Sequence, residues 1–195
     1  MLTEKIKDYN ILLGSQSPRR KELLAMLNIN FQVRLGDDFD EVFPDEMNVS
    51  DVPLFLSKGK SHNIPLVNSN DLLITSDTIV VLDNKVLGKP TDYYDAFNML
   101  KALSGRAHKV ITGVYFRTNN KEIGFCSTTE VFFKNLSDFE IEFYINNYKP
   151  YDKAGSYGIQ EWIGAIGVER IEGSYFNVMG LPVQQLYTEL LKFIN

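Results

Sequence analysis

Four stretches hold residues whose types and spacing could do chemistry. "GSQSPRR", Gly14 to Arg20, reads as the entry to a helix, with Ser17 as N-cap and Pro18 in the first helical position. A helix N-terminus carries partial positive charge and favours acidic residues, yet this one carries Arg19 and Arg20. Free backbone N–H groups joined by two guanidinium groups suit a multiply charged anion; a solvated, charged helix end is the alternative. "TSDTIVVLDNKVLGKP" places Asp77 after the apolar run "LLIT". A carboxylate there can ligate a hard cation, act as a general base, or simply cap a turn. Lys89 in the same stretch is stiffened by the following Pro90. The loop Asp37 to Glu46 carries six acids in ten residues, either a solvated loop or a source of one or two oxygens for Mg²⁺. "YDKAGSYGIQ", Tyr151 to Gln160, has the glycines, aromatics and amide of a loop that approaches a base and sugar, or of a Gly-rich surface loop.

The elements that must position these residues follow from periodicity. "NILLGS" reads as a buried strand, Pro18 to Leu27 as a helix, and "NFQVRLG" as a second strand. Ser50 to about His62 reads as a helix capped by Ser50. Asp71 to Pro90 reads as strand, polar interruption, strand, a turn at Asp83-Asn84, and a short strand. Thr91 is the expected cap of a helix that ends at Ser104-Gly105. "HKVITGVYFRT" and "EIGFCSTTEVFF" flank "NNK" as a β-hairpin. Ser137 and Glu140 make a capping box for a helix that stops before Pro150. Pro182 opens a closing amphipathic helix with Val183, Leu186, Leu190 and Ile194 inward. The mixture predicts a mixed α/β protein.

Bulk properties bound the function. The 195 residues suffice for one substantial core, as one domain or two joined lobes. A net charge of −5 argues against general nucleic-acid binding and leaves any basic cluster local. With one cysteine, Cys126, read as a small core residue, no intrachain disulfide forms, and no zinc-type Cys/His cluster exists. The polar start "MLTEKIKDYN" is unlike a signal peptide, and no apolar run approaches a membrane span. The expectation is a cytoplasmic protein with a small-molecule partner and neither nucleic acid nor membrane.

"SQSPRR", "SDTIV…LGKP", "LSGRAHKVITGV", "YDKAGSYGIQ" and "GSYFNVMGLP", in this order, resemble the Maf family over essentially the whole chain. The resemblance implies a single domain over residues 1–195: a two-lobed mixed-sheet α/β fold with a central cleft, similar to inosine triphosphate pyrophosphatases. It implies hydrolysis of a nucleoside triphosphate between the α- and β-phosphates, with a divalent cation, Mg²⁺ or Mn²⁺. The family's catalytic aspartate falls on Asp77 and its arginine pair on Arg19 and Arg20. Its glutamate falls on Glu41 in "FDEV", and its lysines on Lys60 in "SKGKS" and Lys89 in "LGKP". Metal would then be held by Glu41 and Asp77, while Ser15, of the first motif, joins the substrate-binding set.

Arg19, Thr78 and Gln160 match the dTTP/UTP branch of the family rather than the branch preferring 7-methyl-GTP. A glutamine amide can donate to a uracil or thymine carbonyl and accept from N3–H, so Gln160 is the expected base reader. Trp162 departs from the family's glycine-rich text and could alter the cleft rim. A nucleotide-binding regulator of division without turnover, or the same chemistry on another nucleotide, is the alternative. A homodimer is common for such folds.

Overall fold

The computed structural model describes residues 1–195. In chain order the elements are α1 (Leu2–Lys5), β1 (Asn10–Leu13), α2 (Pro18–Ala25), β2 (Gln32–Val33), α3 (Val52–His62), β3 (Asp71–Leu82), β4 (Lys85–Leu87) and α4 (Tyr93–Leu103). They continue as β5 (Ala107–Arg117), β6 (Glu122–Phe133), α5 (Asp138–Tyr148), α6 (Trp162–Gly167), β7 (Val168–Glu172), α7 (Tyr175–Met179) and α8 (Val183–Phe193). The seven strands form one mixed sheet of order β2-β1-β3-β5-β6-β7, with β4 paired to β3. β1 runs parallel to both β2 and β3, whereas β4 returns antiparallel on β3. The fold class is therefore mixed α/β, as the alternation of helical and strand patterns requires.

Contacts divide the chain into two compact units, Met1–Asp77 with Thr112–Ser127 and Gly180–Asn195, and Thr78–Ile111 with Thr128–Met179. In the first unit, Leu12, Leu73 and Ile64 form a core cluster beneath the parallel pair β1/β3. Buried Asp71 anchors the start of β3: it accepts from Asn10 Nδ2 at 2.7 Å, Val67 N at 2.9 Å and Arg34 at 2.7 Å. Burial pushes its carboxyl upward, but the hydrogen bonds from Asn10, Asn68 and Val67 overcome this and hold it well below the usual range. In the second unit, α4, α5 and α6 bury Leu100, Leu103, Ile141, Tyr144 and Ile163 against Val80, Val110 and Phe133 of the strands.

Most expected elements form, and the departures have local causes. β3 is one continuous strand, not two pieces around a polar interruption. Two residues of its polar middle find partners on α3: Thr75 Oγ1 donates to Ser57 O at 2.7 Å, and Asp77 meets Lys60, while Ser76 Oγ between them is buried without a partner. α3 has Asp51 rather than Ser50 at its N-cap, and no side chain there bonds to the helix. α4 is capped by Asp92, which accepts from Asp95 N, while Thr91 N donates to the Asp95 carboxylate. The hairpin β5/β6 closes through Thr118 N to Lys121 O at 2.8 Å, and the capping box of Ser137 and Glu140 is present at α5. α8 buries Val183, Leu186 and Leu190 as expected, but Phe193 takes the inward place and Ile194 is the half-buried C-cap. Cys126 is half-buried, with its thiol 3.6 Å from Ser50 O, rather than a core residue.

Candidate active site

The first unit assembles a carboxylate–ammonium cluster from three separate segments. Asp77 is the seventh residue of β3 and is buried. Lys60 comes from α3, and its Nζ lies 2.5 Å from Asp77 Oδ1. The same ammonium lies 2.6 Å from Glu41 Oε1, which arrives on the acidic loop. Glu41 is the more exposed carboxylate, 48% against 9% for Asp77, so the pair has a buried inner member and a solvent-facing outer one.

The loop reaches α3 for a steric reason. A Cβ on Gly59 would lie 2.4 Å from the Phe39 ring, so glycine in α3 lets Phe39 lie flush on the helix two residues before Glu41. Asn63 Nδ2, at the end of α3, holds Asp37 O at 2.7 Å, fixing the other side of the loop. Among the six acids of this loop, packing thus selects Glu41 as the one that meets Lys60.

The arginine pair enters from α2. Ser17 caps the helix, accepting from Arg20 N, and Pro18 occupies the first turn, as its sequence requires. The approach is tight: a Cβ on Gly14 would lie 2.6 Å from both Ile64 and Thr75. Ser15 follows, buried, and its Oγ accepts from Ser17 N at 3.2 Å, so it stiffens the turn before the helix. Arg20 Nε donates to Gly180 O at 3.0 Å. Burial lowers the Arg20 pKa, Asp77 and Glu41 raise it, and Arg19 lowers it further. The guanidinium therefore shares an electrostatic neighbourhood with both carboxylates and with the other arginine. Gly180, with φ of 116°, was not singled out from sequence, although the motif "GSYFNVMGLP" contains it.

Thr78, Lys89 and Gln160 belong to the second unit. Thr78 is half-buried and points to the face of β3 opposite Asp77, as strand alternation demands. Lys89 is exposed and follows Gly88, whose carbonyl accepts from Gly155 N at 3.0 Å. Gln160 is exposed at the end of a tightly held loop. Beside it, Glu161 accepts from Tyr144 Oη and lies 3.1 Å from the ammonium of buried Lys153, and Gly158 N donates to Tyr144 Oη at 3.0 Å. Burial, followed by the bond to Glu161, pushes the Tyr144 phenol far above its ordinary range, so it stays a neutral donor. Sequence reading missed Lys153, Tyr144 and Glu161, because nothing local says that their polar ends converge. Trp162 opens α6 and packs its ring on Phe143, 4.7 Å between centroids.

An anionic ligand with several charges would find Arg19, Arg20 and Lys60 in one unit, beside two carboxylates able to bind a hard cation or a water. That combination fits phosphate chemistry, where positioning and charge neutralisation do most of the work. The Maf-like protein family matches residues 10–193, and the chain belongs to that family. A relative from Parabacteroides distasonis, named dTTP/UTP pyrophosphatase, is 50% identical over 98% of this chain and all of its own length. One of the same name from Phocaeicola vulgatus is 52% identical over 98% of this chain and all of its own. Another, from Flavobacterium johnsoniae, is 47% identical over the full length of both. Among solved structures, a HAM1 protein from Coxiella burnetii overlaps 94% of this chain and 99% of its own at 15% identity and a TM-score of 0.48.

Proposed function

We propose that this protein hydrolyses dTTP and UTP to the nucleoside monophosphate and pyrophosphate. Full-length relatives at about half identity bear that activity in their names. The observation that carries the reading is the meeting of Lys60 with Asp77 and Glu41 at 2.5 and 2.6 Å, beside Arg20. Asp77 is the proposed catalytic residue: its carboxylate orients the attacking water toward the α-phosphorus and accepts its proton as pyrophosphate leaves in line. Arg19, Arg20, Lys60 and Lys89 neutralise phosphate oxygens, for which the planar fork of arginine is well shaped. Ser15 holds the turn that presents the arginines. Gln160 reads the pyrimidine edge, and Thr78 contributes to substrate preference.

A divalent cation, Mg²⁺ or Mn²⁺, fits the residues present. Two carboxylate oxygens already converge on one cationic point, the Lys60 ammonium. No third His, Cys, Asp or Glu joins them, which matches the habit of Mg²⁺ to take one or two carboxylates and complete its shell with substrate phosphates and water. Glu41 and Asp77 would hold the cation, which supplies charge neutralisation on the phosphate oxygens and a more acidic water. The proposed role is removal of unwanted or modified pyrimidine triphosphates in the cytoplasm. No helix is long and apolar enough to cross a membrane.

The test is pyrophosphate release from dTTP, UTP, CTP, GTP and 7-methyl-GTP with Mg²⁺ or Mn²⁺, on the parent and on Asp77→Asn. Selective release from dTTP and UTP, lost in the variant, is expected. Nucleotide binding without release by the parent would replace hydrolysis with a regulatory role.

A further inference from the structure

Lys60 stands where two ligands of a cation should meet. Its ammonium takes Glu41 Oε1 at 2.6 Å and Asp77 Oδ1 at 2.5 Å, so one monovalent cation bridges both carboxylates. We propose that Lys60 is the internal counter-ion of the Glu41–Asp77 pair in the nucleotide-free protein, and that triphosphate binding exchanges it for a divalent cation. This rests on the reading of Glu41 and Asp77 as metal ligands, and adds that metal and nucleotide bind as a coupled pair.

Three features carry the inference. First, the occupants exclude one another. A Mg²⁺ ion needs oxygens at about 2.0–2.1 Å, and the ammonium already occupies the shared side of both carboxylates. Holding a dication and an ammonium on the same two oxygens sets like charges within a few ångströms of each other. Second, the exchange requires only side-chain motion. The ammonium rides on a flexible four-carbon stem that is 19% exposed, and Glu41 lies on a loop with 48% exposure, while Asp77 stays fixed in β3. Third, the triphosphate removes the obstacle and supplies what the metal lacks. Its oxygens offer the ammonium a better-charged partner and add ligands to a site that has only two carboxylates. Metal alone meets a blocked, ligand-poor pair. Metal with nucleotide meets an open, completed one. By linkage the coupling is reciprocal, and values of roughly 5–150-fold are typical.

The experiment measures Mn²⁺ binding to the full chain, by the resonance signal of free Mn²⁺, without nucleotide and with the α,β-imido analogue of UTP. The analogue's own Mn²⁺ affinity is measured separately. Lys60→Gln is expected to bind Mn²⁺ alone about tenfold more tightly than the parent, and to lose most of the parent's enhancement by the analogue. Lys60→Arg, which keeps the cation, should stay weak toward Mn²⁺ alone. Equal or weaker Mn²⁺ binding by Lys60→Gln overturns the proposal. A second readout needs no variant: the ¹⁵N resonance of the Lys60 ammonium in the parent. It should move when Mg²⁺ and analogue are added together. An ammonium signal unchanged while Mg²⁺ occupies the site also overturns the proposal. Failure of the underlying reading looks different: Mn²⁺ binding in the presence of analogue would then be indifferent to Glu41→Gln and Asp77→Asn.

Discussion

Asp77 is the residue on which the chemistry turns. Its carboxylate is buried and meets Lys60, so an amide of the same size keeps the shape and removes the base. Asp77→Asn should lower kcat by about 10²–10⁴-fold, the usual contribution of a positioned base, and, because the same carboxylate is a proposed metal ligand, should also weaken binding of the α,β-imido analogue when Mg²⁺ is present. Near-parental kcat in that variant would reassign the base. Gln160 is a different case, exposed and remote in sequence from the phosphate-binding residues. Gln160→Ala should reduce the kcat/KM preference for UTP over GTP by roughly tenfold, the value of one or two hydrogen bonds. Equal losses on both nucleotides would remove it as the base reader. The sequence made some of these residues legible and hid others for physical reasons. Arg19 and Arg20 stand out because two cations oppose the field of their own helix. Lys60 does not, since Lys58 in the same "SKGKS" is equally plausible until the partner of α3 is known. Only the family resemblance separated the two lysines.

At the scale of elements, α3 does the positioning. Its face toward β3 carries Ser57 and Lys60, which meet Thr75 and Asp77. Its face toward the acidic loop carries Gly59, against which Phe39 rests. Gly59→Ala tests whether that contact sets Glu41. Alanine favours a helix over glycine by about 1 kcal/mol, but its methyl would meet the Phe39 ring at 2.4 Å. The ring is the end of a side chain on a loop, so the loop yields and the helix does not. The melting temperature should therefore hold or rise slightly, while the Mg²⁺ concentration for half-maximal activity rises several-fold. Unchanged metal dependence would show that Phe39 does not place Glu41. Sequence could not supply this contact, which joins a loop to a helix. The continuity of β3 was hidden too: Thr75-Ser76-Asp77 looks like a break until α3 supplies its partners. α6, β7 and α7 escaped because they are only five or six residues long, with glycines inside α6 and at Gly173 and Gly180 beside the others, too short for a periodic pattern to show.

At the scale of the whole molecule, charge decides behaviour in acid, and two buried groups set two windows. The chain is acidic overall, at −5, and among its buried groups His108 and Asp71 are the ones whose shifted titration makes stability depend on pH in acid. His108 is buried in the second unit, with Nε2 2.7 Å from Tyr157 Oη, its ring edge-on to Phe133, and Nδ1 without a partner. Burial pushes its pKa from the usual 6.5 down to about 4. Between those values the unfolded chain binds a proton that the folded chain refuses, so stability falls as pH drops from 6.5 toward 4. At about 1.4 kcal/mol per pH unit the loss is of order 3 kcal/mol. Asp71 acts lower: its folded pKa is depressed, so its contribution is present above about pH 3.9 and is lost as pH falls further. His108→Gln separates the windows. The amide can still serve Tyr157 Oη but does not titrate, and the lost ring contacts cost the same at every pH. Urea midpoints should therefore fall less steeply between pH 6.5 and 4 in the variant than in the parent, with parallel behaviour below pH 4. Identical slopes between pH 6.5 and 4 would mean that His108 takes up its proton in the folded state, and the first window would then belong to another group.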